Sequence, residues 1–294
     1  MLTAQRVGFY LPSCALSSYS SQVYPVLFRF GSLLIPSYGA LAALGVLTGL
    51  LLVQRTARVV GVSPQQMGNL SVLSLFVALA GSRVLLIAVN WSLLRMHPGW
   101  LLGLAMVHHP LLAAVGAALA IGAAACFTRW QHMRWDATAD AAAPALAIGF
   151  AFEQIGALLS GAGFGTPANV PWAVTYADPL AERWSGAPVG VAVHPVQIYC
   201  ALAYFAIASV LLYWLPRRQQ QGDIAGAWLV ATGAVVFFTE IWRDRVGRGE
   251  IFEKFLDGPQ IAGIFLVLLG AYLLRRRTAA AISGAVVIAG AGNE

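Results

Sequence analysis

The chain has 294 residues, of which 59% are hydrophobic and 10% charged, with a net charge of +6 and a mean hydropathy of +0.73. Soluble domains carry roughly 25% charged residues because their surface faces water, so this composition excludes one. No basic, aromatic-interleaved stretch of the kind that binds nucleic acid is present, and the excess of arginine suits contact with anionic lipid headgroups.

Residues 1–31 hold Arg6, Pro12 and Pro25 and no continuous apolar core, so they read as an amphipathic lead-in rather than a signal peptide. Apolar runs then recur at lengths near the ~20 residues that cross a ~30 Å hydrocarbon core. They predict helical spans over Leu33 to Val53, Asn69 to Val89, Leu111 to Thr128, Ala141 to Ser160, Val196 to Leu215, Ile224 to Trp242 and Ile261 to Leu274. The short apolar piece Trp100 to Val107 is taken as interfacial or re-entrant. The expected fold is thus an all-α polytopic membrane protein of about seven transmembrane helices. Residues 32–277 form the membrane domain, and 278–294 a small apolar tail expected to lack order.

Basic residues near span ends set the orientation. Nine lie on one side (Arg55, Arg58, Arg129, Arg134, Arg217, Arg218, Arg275, Arg276, Arg277) against four on the other (Arg6, Arg29, Arg95, Arg183), leaving aside the mixed-charge loop 243–257. Counting that loop's Arg243, Arg245, Arg248 and Lys254 narrows the margin to nine against eight, but acids are interleaved with them. The C-terminus is accordingly expected in the cytoplasm and the N-terminus outside. The long connection Gly161 to Pro195, rich in turn formers and aromatics, then becomes a packed extracytoplasmic cap between the fourth and fifth spans. Cys14, Cys126 and Cys200 are scattered, and neither a disulfide frame nor a metal-ligand spacing is visible. No metal and no cofactor is expected.

Ionisable groups inside spans each cost at least ~2.5 kcal/mol at the bilayer centre unless paired or wetted, which singles out Arg83, Glu153, Glu240 and Arg243. Ser82, Gln154, Ser160, His194, Gln197 and Tyr199 add polar character near them. Gln197 and Tyr199 are expected to line the first turn of the fifth span, where free backbone N–H groups favour an anion such as a phospholipid headgroup.

The string His194-Pro195-Val196-Gln197-Ile198-Tyr199 resembles the His-Pro-x-Gln-Leu-Tyr-Glu signature of prolipoprotein diacylglyceryl transferases, bacterial membrane enzymes. Other landmarks follow in the same order. Pro36-Ser37-Tyr38-Gly39 resembles the family's Tyr-Gly motif, Gly81-Ser82-Arg83 its Gly-Gly-Arg, and the stretch Gly165 to Val174 its Gly-x-Pro-Thr-x-x-Pro-Trp-Gly-Val. Gly233 with Glu240 and Arg243 is similar to the Gly-x-x-Arg-Phe-x-x-Glu-x-x-Arg pattern, and Gly258-Pro259-Gln260 stands where the family has Gly-Gln before its last helix. The likeness covers Gly31 to Leu274.

The resemblance implies transfer of a diacylglyceryl group from phosphatidylglycerol to the cysteine thiol of a prolipoprotein signal peptide in the bacterial inner membrane. Implied catalytic residues are Tyr38, His194, Glu240 and His109. Implied substrate contacts are Arg83, Gly165, Gln197, Tyr199, Arg243 and Gln154, with membrane lipids as further partners. In the fourth-helix signature the family's arginine is Gln154, its asparagine Ala157 and its acid Ala162; elsewhere an arginine is Val236 and a glutamate Cys200. These replacements carry the alternative expectation of a silent or altered-substrate paralogue that binds lipid or lipoprotein precursor.

Overall fold

The computed structural model describes residues 25–30, 33–95, 110–244, 250–251 and 256–291. Among them are seven helices long and apolar enough to cross a membrane: α1 Ser37–Val60, α2 Pro64–Val89, α3 Pro110–Trp130, α4 Trp135–Ser160, α5 Val196–Trp214, α6 Asp223–Thr239 and α7 Gly258–Ala291. The protein is an all-α polytopic membrane protein, with seven spans among the described residues. The residues 1–24, the interfacial piece Trp100 to Val107, and His109 lie outside the described residues.

The first span begins later than its hydropathy indicates. Leu33–Pro36 is a strand, β2, paired antiparallel with β1 Val26–Phe30. Pro36 takes an extended conformation as the residue before α1, with φ −65° and ψ 137°. Lacking an N–H, it is suited to that junction rather than to a helix interior. At its other end α1 runs to Val60 and stops where Gly61 adopts φ +78°. There the Val62 N–H returns to Ala57 O at 2.9 Å, the bond of a Schellman cap. Ser63 then caps α2 by accepting from Gln66 N, with Pro64 in the first helical position.

α4 also starts earlier than expected, at Trp135 rather than Ala141. Asp136 and Asp140 lower the hydropathy of its first turns, yet Asp140 is wholly buried. Its carboxylate accepts from Gly222 N at 2.6 Å and Ala225 N at 3.0 Å, and lies 3.3 Å from Arg218 Nε. An acid on one helix thus caps the N-terminus of another, where the free N–H groups and the helix dipole favour negative charge. α7 continues to Ala291, through much of the segment expected to lack order. At its start Asp257 and Gln260 exchange backbone-to-side-chain bonds of 3.0 and 3.2 Å, a reciprocal capping box.

α4 is the hub and packs on α1, α5 and α6, while α7 packs on α6 and α3 on α2. In lipid there is no hydrophobic drive between helices, so close contact relies on small residues. A Cβ on Gly45 would stand 2.8 Å from Phe152 Cβ across α1 and α4, and one on Gly233 would stand 2.5 Å from Gly263 O across α6 and α7. One end of the bundle holds a buried core built from α1, α2, α4, α5 and α6 around Val53, Met67, Ala141 and Leu211. The opposite end is closed by the connection between α4 and α5.

Candidate functional site

That connection is a packed cap. β3 Val174–Thr175 pairs with β4 Ala192–Val193 over a small core of Val174, Tyr176, Ala181, Ala187 and Val193. Phe164 to Pro167 threads between the β4 end and the segment after α6: Thr166 N donates to Trp242 O at 2.8 Å, His194 N to Thr166 O at 3.0 Å, and Asp244 N to Phe164 O at 3.1 Å. Gly165 is the crossing point, because a Cβ there would overlap the His194 carbonyl and crowd Trp242 O. Its part is to let three backbone segments meet. It offers a ligand no side chain.

Under the cap, the polar side chains fall into two linked groups. The first stands on α1 and α4. Tyr38, in the first turn of α1, donates its hydroxyl to Glu153 Oε1 at 3.2 Å, and Gln154 Nε2 donates to Glu153 Oε2 at 2.5 Å. Gly156 permits this approach, since a Cβ on it would stand 3.2 Å from Tyr38 O. Arg83, half-buried on α2, is near enough for its charge to act on the Tyr38 hydroxyl. Glu153 and Arg243 both act on Tyr204, buried on α5, which joins this group to the second.

The second group surrounds the end of α6. Glu240 opens a single 3₁₀ turn, Glu240–Trp242, and is buried. Its Oε1 lies 3.1 Å from Arg243 Nε, and Arg243 also reaches the buried Cys200 Sγ at 3.4 Å. Arg243 is therefore held on both sides, by an acid and by a thiol. Nearer the surface, Trp172 Nε1 donates to the Tyr199 hydroxyl at 2.7 Å, and that hydroxyl lies 3.4 Å from His194 Nδ1. Tyr199 also meets Trp242 edge-on, with ring centroids 6.2 Å apart. The Tyr199 hydroxyl thus links Trp172 to His194, whose part in the contact, donor or acceptor, is set by its tautomer. Exposed Trp172 and Trp242 match the aromatic belt of a membrane interface.

Gln197 sits apart from both groups. It is wholly buried, and its Nε2 donates to Ala162 O at 2.8 Å and to the Tyr176 hydroxyl at 3.5 Å, tying α5 to the end of α4 and to the cap. Burial pushes the Tyr176 phenol up to about 12, against a smaller lowering by Gln197. The first turn of α5 is not an open anion nest either. Val196 N bonds to His194 O, and both Ile198 N and Tyr199 N reach Pro195 O. The proline-led entry folds the donors back onto the chain.

Trp242 and Tyr204 also belong to the site, though nothing in the sequence marks them. An aromatic at a span end and a tyrosine inside an apolar run carry no signal until their neighbours are known. Among the described residues, no three His, Cys, Asp or Glu side chains converge on a metal position. Taken together, the site offers guanidinium, phenol and amide donors around two carboxylates, at the end of the bundle that carries the interfacial tryptophans. Such a set can grip a phosphate ester and move a proton near it.

Residues 25–276 match the protein family described as prolipoprotein diacylglyceryl transferase. Among similar curated proteins is the phosphatidylglycerol–prolipoprotein diacylglyceryl transferase of Clostridium tetani, 25% identical over 85% of this chain and 96% of that protein. The protein of the same name from Thermosynechococcus vestitus is 28% identical over 84% of this chain and 90% of its own length. One numbered 2 in Clostridium perfringens is 27% identical over 85% and 93%.

Proposed function

The chain belongs to the prolipoprotein diacylglyceryl transferase family, and on that premise we propose that it moves a diacylglyceryl group from phosphatidylglycerol to a prolipoprotein cysteine. The carrying observation is the family match over residues 25–276. It is supported by the gathering of Tyr38, Arg83, His194, Glu240 and Arg243 at one end of the bundle.

In this reaction a sulfur–carbon bond forms at the glyceryl carbon. The carbon–oxygen bond to phosphate breaks, glycerol phosphate leaves with the electron pair, and the thiol proton passes to a base. Arg83 and Arg243 supply the positive charge that steadies the leaving phosphate. Glu240 and Cys200 hold the Arg243 guanidinium in place. Tyr38 donates its hydroxyl to Glu153 and so holds that carboxylate in place. His194 and Glu153 are the two groups of the site able to accept the thiol proton.

The protein is multi-pass, and the reading places it in the bacterial inner membrane with the cap and N-terminus outside and the C-terminus in the cytoplasm. The acceptor is the lipobox cysteine of a signal peptide, approached from the membrane.

The test is transfer of labelled diacylglycerol from phosphatidylglycerol vesicles to a lipobox peptide by the purified protein, beside Tyr38→Phe and Arg83→Ala. Transfer that falls by about 10²-fold in either variant fits the proposal. No transfer from folded wild-type protein rejects it.

A further inference from the structure

At the end of the bundle opposite the cap, α1 and α2 part to leave a groove of about 490 Å³. Leu50, Gln54, Gln65, Gly68, Asn69 and Val72 line it, together with Pro64. The volume lies within the ~300–1,000 Å³ of ordinary ligand sites.

Three carboxamides, Gln54, Gln65 and Asn69, converge on this groove, and among the described residues none of their side chains has a hydrogen-bond partner. Gln65 and Asn69 are also exposed. Both stand on a helix that crosses the membrane, with Asn69 five residues into it, about 7.5 Å at 1.5 Å per residue. Where such groups meet hydrocarbon they need partners that it cannot supply.

The groove is graded along its length. Leu50, Gln54 and Arg58 follow one another at four-residue intervals, so they form one stripe on α1. Leu50 is ten residues from Val60, which puts it ~15 Å inward, near the middle of a ~30 Å core. Arg58, one turn beyond Gln54, is exposed just outside the groove's lining at the outer limit of the stripe. On α2 the series Gln65, Asn69, Val72 likewise passes from polar to apolar. No carboxylate lines the groove. From the bundle end inward the order is cation, amides, aliphatic side chains. A phospholipid in that leaflet presents the matching order of phosphate, ester carbonyls and glycerol, then acyl chain.

We propose that the groove between α1 and α2 is a binding site for one anionic phospholipid of the leaflet opposite the cap, with its phosphate on Arg58 and its glycerol-ester region on Gln54, Gln65 and Asn69. In the orientation proposed above this is the cytoplasmic leaflet. The site is separate from the one under the cap.

The experiment uses the full chain in phosphatidylcholine nanodiscs. Trace phosphatidylglycerol or phosphatidylcholine bears the same diazirine acyl chain, and the photo-adducts are mapped by peptide. The segment from Leu50 to Val72 is expected to take the phosphatidylglycerol probe about fivefold more than the phosphatidylcholine probe, the preference one basic residue near the surface confers. Arg58→Ala is expected to remove the preference, and the triple change Gln54→Leu, Gln65→Leu, Asn69→Leu to cut labelling of the segment by either probe. Unchanged labelling of peptides around Tyr38 shows that each variant is folded. Equal labelling of the wild type by the two probes overturns the proposal. So does undiminished labelling of the triple variant, or labelling blocked by a lipobox peptide, which would assign the groove to polypeptide. The readout needs no turnover, so absence of transfer would reject the proposed reaction and leave this site standing.

Discussion

Glu153 and Gln154 are neighbours in sequence and partners in space, and their contact changes what the family resemblance implies for this chain. An arginine at position 154 would point a fixed positive fork at a phosphate. Gln154 instead spends its amide on Glu153, whose other oxygen holds Tyr38. The positive charge must come from Arg83 on α2 and from Arg243, just past the turn that follows α6. Restoring Arg at 154 together with Asn at 157 is expected to raise transfer by about tenfold or more, because a charge-assisted bidentate contact is roughly twice as strong as a neutral one. Transfer assayed beside the Gln154→Arg single variant checks this. A double variant no faster than the wild type would mean that Glu153 neutralises the new charge.

Tyr176 is a second test at this scale. Its phenol is raised to about 12 in the folded protein from an ordinary value near 10. Between those values the unfolded chain gives up a proton that the folded chain keeps, so stability falls as pH rises. The contribution is whole below pH 10 and gone above about 12. Tyr176→Phe is expected to flatten the fall in unfolding temperature across pH 10 to 12, measured in detergent against the wild type.

At the scale of elements, seven helices were legible because each apolar run nears the length of a bilayer crossing. Their ends were less so, for reasons specific to the residues. Leu33 to Pro36 is as apolar as a span, but its pairing with Val26 to Phe30 was not visible in a hydropathy profile. The start of α4 was hidden by Asp136 and Asp140, which lower the local hydropathy although Asp140 is buried and caps α6. Asp140→Ala leaves Arg218 and two N–H groups without their buried acceptor. Breaking such a pair costs about 3–5 kcal/mol, whereas Asp140→Asn keeps an acceptor for the N–H groups and is expected to cost less. Thermal unfolding of both variants tests the order. Equal loss would mean that the charge, not the cap, holds α6 on α4.

For the site itself, legibility followed charge. Arg83, Glu153, Glu240 and Arg243 stood out as costly groups in apolar runs, and the structure brings them to one end of the bundle. Gln197 stood out by its motif, and the structure makes it a buried tie between α5, α4 and the cap. Sequence order tells which residues travel together, but not which face of the turn each one takes. The aromatic cluster of Trp172, Tyr199 and Trp242 draws on the cap, α5 and the turn after α6, so no local spacing announces it.

For the whole molecule, the arrangement of ends decides what the site can meet. The end bearing the α1–α2 groove also carries Arg55, Arg58, Arg129, Arg134, Arg217 and Arg218, while the cap carries Arg183 with Asp178 and Glu182 close by. Not all of that charge is equally free to set topology: Arg218 lies against Asp140, and the Arg217 guanidinium stands 4.0 Å over the Tyr213 ring. The remaining arginines still bias that end toward the cytoplasm. Single cysteines in a chain cleared of Cys14, Cys126 and Cys200 test this. Glu182→Cys on the cap is expected to react with an impermeant maleimide in intact cells, and Gln219→Cys, exposed in the connection between α5 and α6, only after the membrane is opened. The reverse pattern would put Tyr38, Arg83 and His194 at the cytoplasmic leaflet. The enzyme would then have to meet its acceptor cysteine before export, and the groove lipid would belong to the outer leaflet.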